Sequence, residues 1–325
     1  MDKKMIYLIS LIAELNKKID IPKRYSTKFL NSGNKYLSPT ERIRIEDLTD
    51  YFVTAGIVGR DEILPIVDKD GFTITEFEPD IIGLQALYSA SDVIQLQAGV
   101  PMITATGNEV PTIKQLEYKY SKILASAIGN KFERMCSEVY LKGNYVDKNG
   151  KNIIVGVSED KTLQFNNKTI YSDEILKLIL AFHRNYGIFP LVEVGETIFT
   201  ALKNEANNTR QNINGVKFVF GENPYLEIGQ KKIELLTNGK DSTGKVIETK
   251  DLIILSDPKN LAVGYGCLMY GDIKTNESKL VRAEVVAGEA RVDETTGSKG
   301  LWAKSAPMPI LLSTKRFERY KVTIS

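Results

Sequence analysis

The sequence predicts an α+β fold. Three observations carry this. A long apolar stripe of helical period runs from Thr112 to Leu141. Strand-like segments flank the turn sequences Asp68-Lys69-Asp70-Gly71 and Asp147-Lys148-Asn149-Gly150. A helix–strand–helix run covers Ser172 to Asn207.

The long stripe steps mostly by three and four, from Ile113 and Leu116 through Leu124, Ile128 and Phe132 to Cys136 and Val139. Such spacing places these side chains on one flank of a helix. Thr112 with Gln115 has capping-box spacing after Pro111, and Lys142-Gly143 suits the exit. The helix would be roughly 45 Å long at 1.5 Å per residue. Gly129, in its middle, predicts a close crossing or a bend.

The totals bound the rest. The 325 residues, 42% apolar and 26% charged, hold enough material for two or three modules with cores of their own. Net charge is +2, with no basic block to mark a nucleic-acid surface. Two cysteines, Cys136 and Cys267, make no disulfide framework and read as buried thiols in a reducing compartment. His183 is the one histidine, which leaves histidine-based metal sites and triads without parts. No apolar run approaches the about 18 residues that span a bilayer.

In chain order, residues 1–20 read as an amphipathic helix stopped before Pro22, although Lys3-Lys4 and the apolar residues after it imitate a short signal peptide. Residues 22–40 read as an extended arm anchored by Tyr25, Phe29, Leu30, Tyr36 and Leu37, with too little core to stand alone. Residues 41–82 are rich in strand signals, and Ile63–Val67 and Phe72–Glu78 flank the Asp68–Gly71 turn as a long hairpin. Its faces are mixed, so it must pack on this chain or on a neighbour. Residues 83–98 read as a short helix capped by Ser89 or Ser91. Beyond the long helix come a hairpin through Asp147–Gly150, a helix at Ser172–Tyr186 capped by Ser172, a strand at Ile188–Val194 and a helix at Glu196–Asn207. Strands follow at Val216–Phe220, Tyr225–Ile228, Ile233–Leu236, Leu252–Leu255, Leu268–Ile273 and Val281–Ala287. A proline-marked tail ends in a strand at Tyr320–Ile324.

Candidate chemistry is sparse. Gly239-Lys240-Asp241-Ser242-Thr243-Gly244-Lys245-Val246 nearly fits the phosphate loop G-x-x-x-x-G-K-[ST], but Val246 replaces the hydroxyl that would bind Mg²⁺. A strand rather than a helix follows it, so a polar loop between two strands is the better account. Gly264-Tyr265-Gly266 lacks the third glycine of a dinucleotide fingerprint and reads as glycines in a strand or bend. His183 reads as a solvated helix end, and Trp302 beside Lys304 as a packing anchor. No catalytic residue, cofactor or metal ligand is assigned.

The order of parts resembles a shell subunit. Thr27-Lys28-Phe29-Leu30 leads to Thr40-Glu41-Arg42-Ile43-Arg44-Ile45. Val58-Gly59-Arg60 leads through Gly71 to Phe77-Glu78-Pro79-Asp80-Ile81-Ile82. Ala90-Ser91-Asp92-Val93, Phe132-Glu133-Arg134-Met135, Leu141-Lys142-Gly143, Tyr265-Gly266 and Ser305-Ala306-Pro307-Met308-Pro309 follow in order. In this the chain resembles the tailed-bacteriophage major capsid proteins of the lambda-like head-protein (phage capsid E) family. The resemblance covers nearly the whole chain, with residues 158–172 and Gly239–Lys250 aligning poorly.

The resemblance implies a Hong Kong 97-type capsid fold. An N-terminal arm would span 1–40 and an extended hairpin loop 41–98. A peripheral domain with the spine helix would take 99–165 and 300–325, and an axial domain 166–299. It further implies self-assembly as hexamers and pentamers into an icosahedral shell around phage double-stranded DNA. Scaffolding, portal and decoration proteins would be partners, DNA would be touched weakly at the inner surface, and no membrane would be involved. The place would be the virion, after assembly in the host cytoplasm. Phe29, Leu30, Asp68, Lys69, Asp70 and Gly71 are the candidate inter-subunit contacts. Two other readings are an encapsulin-like compartment shell, and an α+β nucleotide-dependent enzyme acting through Gly239–Lys245.

Overall fold

The spine of the molecule is helix α2, Thr112–Lys142, which the apolar stripe predicted to within a residue. The computed structural model describes residues 23–47, 73–88, 112–150, 152–154, 160–166, 170–208, 215–220, 224–272, 277–293, 298–313 and 315–324. The predicted helix over 1–20 and the turn at Asp68–Gly71 lie outside the described residues. The sequence pattern marked one buried flank of α2, but the helix changes character along its length. Ile123 is exposed in the first half, whereas Met135 to Leu141 are buried without a break. The last two turns are therefore enclosed on all sides.

Three bodies enclose it. The first is the arm. Residues 25–31 form a short helix, α1 (Tyr25–Asn31), where an extended segment was expected. Tyr25 and Phe29, four residues apart, put both rings on the face that meets α2. Lys35–Leu37 then pairs in parallel with Leu261–Tyr265, which pairs antiparallel with Pro307–Leu311. Pro307 and Pro309 sit on the edge strand of that three-stranded sheet, where a missing N–H is tolerated. Gly264 gives close packing there: a Cβ would stand 2.8 Å from Ile43 Cδ1 and 3.0 Å from Ile310 Cδ1, so both side-chain tips would have to move aside.

The second body is a seven-stranded sheet. Its order is Lys161–Phe165, Phe317–Ile324, Leu252–Ser256, Leu191–Val194, Lys231–Leu235, Tyr225–Ile228, Lys217–Val219. Helices α3 (Tyr171–Tyr186) and α4 (Glu196–Asn207) cover one face through Ile175, Ile179, Phe182, Ile198 and Leu202, which pack with Val192, Val194, Ile253 and Leu255. Alternation along the strands sends Ile254 to the opposite face, into the core around α2. Ser172 does not cap α3 as expected. Ile170 is the cap residue, and the Ser172 hydroxyl donates to Glu205 of α4 instead. The terminal strand and Lys161–Phe165 belong to this sheet, so the boundaries drawn at 165/166 and 299/300 do not follow the pairing.

The third body is the sheet Val286–Asp293, Ser298–Ser305, Ile82–Tyr88. Ile82–Tyr88 is a strand, not the start of the expected 83–98 helix. Its apolar residues fit either period, and pairing with Ser298–Ser305 decides the matter. Residues 89–98 lie outside the description. Tyr88, Leu301 and Ala303 pack on Leu124, Ala125 and Ile128 of α2. The hairpin base was half foreseen: Ile43–Asp47 pairs antiparallel with Thr73–Phe77. The expected partner Ile63–Val67 lies outside the described residues.

Gly195, before α4, passes so close to the Thr249 and Lys250 carbonyls that a Cβ would stand 2.0 and 2.2 Å from their oxygens. Backbone atoms cannot swing aside as a side-chain tip can. Gly195→Ala should destabilise by about 1–3 kcal/mol, read as a lowered thermal unfolding midpoint.

Candidate functional site

Arm, spine and seven-stranded sheet meet at Tyr140, near the end of α2. Its ring is fully buried against Phe317 at 5.1 Å, Tyr25 at 5.6 Å and Phe29 at 6.4 Å between centroids. Its hydroxyl donates to Glu193 Oε2 and lies 3.2 Å from Ser256 Oγ. Glu193 sits mid-strand in the sheet and is buried; Lys28 of α1 donates to its Oε1 at 2.5 Å. One carboxylate thus joins the arm, the spine and the seven-stranded sheet. Burial foremost, then the Glu193 charge, pushes the Tyr140 phenol well above its ordinary value.

A second carboxylate fixes the start of the arm helix. Arg24, the residue that precedes α1, gives it no side-chain cap. Glu133 of α2 does so from outside: Oε1 accepts from the Arg24 and Tyr25 N–H groups at 3.0 and 2.9 Å, and Oε2 from Ser26 N–H at 2.8 Å. The Tyr25 hydroxyl donates to the Thr237 carbonyl. Lys23 lies across α2 where Gly129 leaves room; its Nζ is 2.6 Å from where a Cβ would stand. That is the close crossing Gly129 predicted. At the other end of α2, Gly143 is left-handed (φ 75°) and its N–H returns to Val139 O. The buried Arg319 guanidinium donates to Leu141 O at 2.9 Å and to Asp160 at 2.6 Å.

The phosphate-loop candidate is a β-hairpin, Gly239–Lys240 paired with Val246–Ile247, packed on the last turns of α2. Asp241 Oδ1 accepts from Thr243 N–H, Lys245 N–H and the Thr243 hydroxyl at 3.0, 2.9 and 2.6 Å. The donors that would cradle a phosphate therefore already hold a carboxylate. Ser242 N–H is taken by Glu138, and Ser137 bonds both backbone groups of Lys240. The loop between two strands expected from the sequence is what stands here. The Thr243 hydroxyl first, then Lys245 N–H and Lys142, hold Asp241 down to about 2.

The remaining candidates are dispersed. His183 stacks on Phe189, 4.0 Å between centroids and 5° from parallel, and its carbonyl takes the Gly187 N–H. Trp302 donates to Glu289 O and packs against Tyr270. Cys136 and Cys267 are buried free thiols. Among the described residues no group of three or more His, Cys, Asp or Glu is placed to hold a metal ion, and no helix is long and apolar enough to cross a membrane. Of the predicted contact residues, Phe29 has no exposed surface to offer a neighbour, because Tyr140 already holds it. Leu30 is half-buried beside the same core. Asp68, Lys69, Asp70 and Gly71 lie outside the described residues.

Sequence reasoning missed Lys28, Glu133, Tyr140, Glu193 and Arg319. One signal was present: Glu193 interrupts an apolar strand, Leu191-Val192-Glu193-Val194, whose two valines face the helix-covered core.

With this geometry in hand, comparison decides the fold. No family model matches the chain, and no curated protein matches it. Among solved structures, it is similar to a putative prophage capsid protein from E. coli CFT073, with a TM-score of 0.58 and 13% identity over 98% of this chain and 99% of that one. The chain has the Hong Kong 97-type capsid fold. A phage-related protein of Bordetella bronchiseptica matches at TM-score 0.48, with 10% identity and 96% of each chain covered. An encapsulin complex of Synechococcus elongatus matches at 0.46, with 11% identity over 94% of this chain and 88% of that one.

Three outcomes follow from the capsid-fold junction. Tyr140→Phe keeps the ring packing but strips one hydrogen bond from a buried carboxylate; it should cost about 1–2 kcal/mol in denaturant unfolding. Glu193→Ala leaves Lys28 without its carboxylate and the Tyr140 hydroxyl with Ser256 alone, and should cost about 3 kcal/mol. The folded-state value of Asp241 lies below its ordinary 3.8, so its stabilisation is complete above that pH and is lost as pH falls through about 2. The stability gap between wild type and Asp241→Asn, followed by unfolding from pH 5 to 2, should shrink accordingly.

Proposed function

We propose that this chain is a shell-forming capsid subunit that assembles as hexamers and pentamers into an icosahedral head around phage double-stranded DNA. The observation that carries the reading is the end-to-end likeness, 98% of this chain on 99% of the other, to a putative prophage capsid protein. The arm, spine and sheets all take part in the match, and no large insertion remains to house another activity. In this reading α2 with its outer sheet is the peripheral domain, and the seven-stranded sheet with α3 and α4 is the axial domain. Residues 48–72, between the paired strands Ile43–Asp47 and Thr73–Phe77, reach a neighbouring copy. Scaffolding, portal and decoration proteins are its assembly partners, and the virion is its place.

The surface supports it. Ile82–Tyr88 is an edge strand among the described residues, and Ile81, Leu84 and Leu87 are exposed along it, at 61%, 45% and 56%. An uncharged apolar edge is a pairing hazard unless something covers it. Met269 and Leu280, directly opposite each other on a two-stranded ribbon, are also exposed. Patches on separate faces suit heterologous contacts, which a closed shell repeats around several axes.

Purified protein, concentrated with and without crowding agent, should give rings, shells or tubes by negative-stain electron microscopy. A monomer that persists in sedimentation at high concentration would count against the reading. Titration with Mg²⁺-ATP should give no saturable heat; saturable binding weakened by Lys245→Ala would restore the nucleotide-dependent alternative.

A further inference from the structure

Three Asn-Gly pairs occur in the sequence: Asn149-Gly150, Asn214-Gly215 and Asn238-Gly239. An asparagine before glycine can react with its own backbone. Attack of the next backbone nitrogen on the carboxamide carbon closes a five-membered ring, and a neighbour without Cβ leaves that approach open. Inside a fold, the reaction needs a carboxamide and a glycine that are free to turn toward each other. Asn214 lies outside the described residues. The other two pairs differ in this freedom.

Asn149 and Gly150 lie at the exposed tip of the hairpin formed by Asn144–Val146 and Asn152–Ile154. Nothing stands within 4 Å of where a Gly150 Cβ would be. The Asn149 N–H donates to Asp147 Oδ1 at 2.9 Å and the Gly150 N–H to the Asp147 carbonyl at 3.0 Å. Among the described residues the Asn149 carboxamide has no hydrogen-bond partner. One turn bond is therefore all that holds the attacking nitrogen. Asn238-Gly239 is fixed instead. Asn238 Oδ1 accepts from the Thr249 N–H at 3.1 Å and the Thr249 hydroxyl at 2.9 Å. Gly239 is buried on α2, where a Cβ would stand 2.8 Å from Ser137 Cβ and from Leu141 Cδ1.

We propose that Asn149-Gly150 is a self-modification site, at which the asparagine becomes isoaspartate or aspartate with water as co-reactant. The Gly150 nitrogen gives its proton to a solvent base and attacks Asn149 Cγ. The carboxamide nitrogen takes up a proton and leaves as ammonia, which closes a five-membered imide. Water then opens the ring. Cleavage at the Asn149 main-chain carbonyl leaves the chain running through Cγ as isoaspartate, and cleavage at Cγ gives aspartate. Either product puts a carboxylate where a neutral amide stood. It joins Asp147 in the same turn and Asp80, whose Oδ2 accepts from the Lys148 N–H at 2.9 Å and from the Tyr145 hydroxyl. Like charge and a lengthened backbone weaken that tie between the turn and the segment entering Ile82–Tyr88. The inference needs only the folded chain and does not rest on the shell reading.

The test keeps full-length protein folded at 37 °C and samples it over time. Chymotryptic peptides are read by mass spectrometry, with isoaspartate resolved from aspartate by chromatography. Asn149 should convert with isoaspartate as the larger product, and faster as pH rises from 6 to 8, because the attacking nitrogen must lose its proton. It should convert at least about tenfold faster than Asn238. In urea, with the fold removed, the two rates should come within about twofold of each other. The Lys148 amide should exchange its hydrogen faster in aged protein than in fresh, while aged Asn149→Gln keeps the fresh rate. Folded protein whose Asn149 stays intact, or whose Asn238 keeps pace with it, would overturn the inference. So would aspartate without isoaspartate, the mark of direct hydrolysis, or Lys148 exchange that conversion leaves unchanged.

Discussion

A single buried carboxylate sets the geometry on which the rest depends. Glu193 lies mid-strand in the seven-stranded sheet, on the face turned away from α3 and α4. Removing such a charge from water costs several kcal/mol, and the cost is offset only when every lone pair finds a donor in good geometry. The donors come from elsewhere: Lys28 from the arm and Tyr140 from the spine. Arm, spine and seven-stranded sheet cannot slide past one another without leaving a charge or a phenol stranded. Apolar contacts around Tyr140 supply the cohesion, and the carboxylate supplies the register. A pair of this type adds little net stability over a well-packed apolar substitute, so its use here is orientation.

The two ends of the system follow the same logic at longer range. The arm helix has no cap of its own and borrows Glu133 across 109 positions of sequence. The spine helix has orphan carbonyls at its C-terminus and receives Arg319 from the terminal strand, 178 positions away. These are non-local contacts that form only once the chain has closed large loops. The arm and tail are therefore fixed by the finished body, not by their own propensities. Gly129 belongs to the same account: its missing side chain leaves room that the tip of the Lys23 side chain occupies.

What the sequence discloses follows from this division. Helices α2, α3 and α4 were legible because their apolar stripes are local and their exits carry glycine or polar residues. The Gly239–Val246 loop was legible by what it lacks, a hydroxyl at 246 and a helix behind it. Ile82–Tyr88 was not, because its apolar residues satisfy two periods and only Ser298–Ser305 beside it chooses between them. The arm helix was missed although Tyr25 and Phe29 have helical spacing, since seven residues without a cap would not hold a helix in isolation. At the junction, Glu193 could have been flagged as an acid among strand apolars, but nothing local names Lys28 or Tyr140 as its partners.

The surface leaves apolar side chains exposed at several separate places. A lone monomer can tolerate scattered exposed aliphatics, and each one alone needs no explanation. Here they coincide with backbone that is unpaired among the described residues. Leu84 and Leu87 ride an open strand edge, and Met269 and Leu280 face each other on a ribbon too thin to be stable by itself. Phe220, 85% exposed, directly follows Lys217–Val219, an edge strand of the seven-stranded sheet. A dimer would need one of these places and leave the others as liabilities. A closed shell uses each subunit from several directions at once, and many modest contacts then add to a stable whole. On the shell subunit proposed above, exposure that would be a fault in a solitary enzyme becomes the material from which neighbours are recruited.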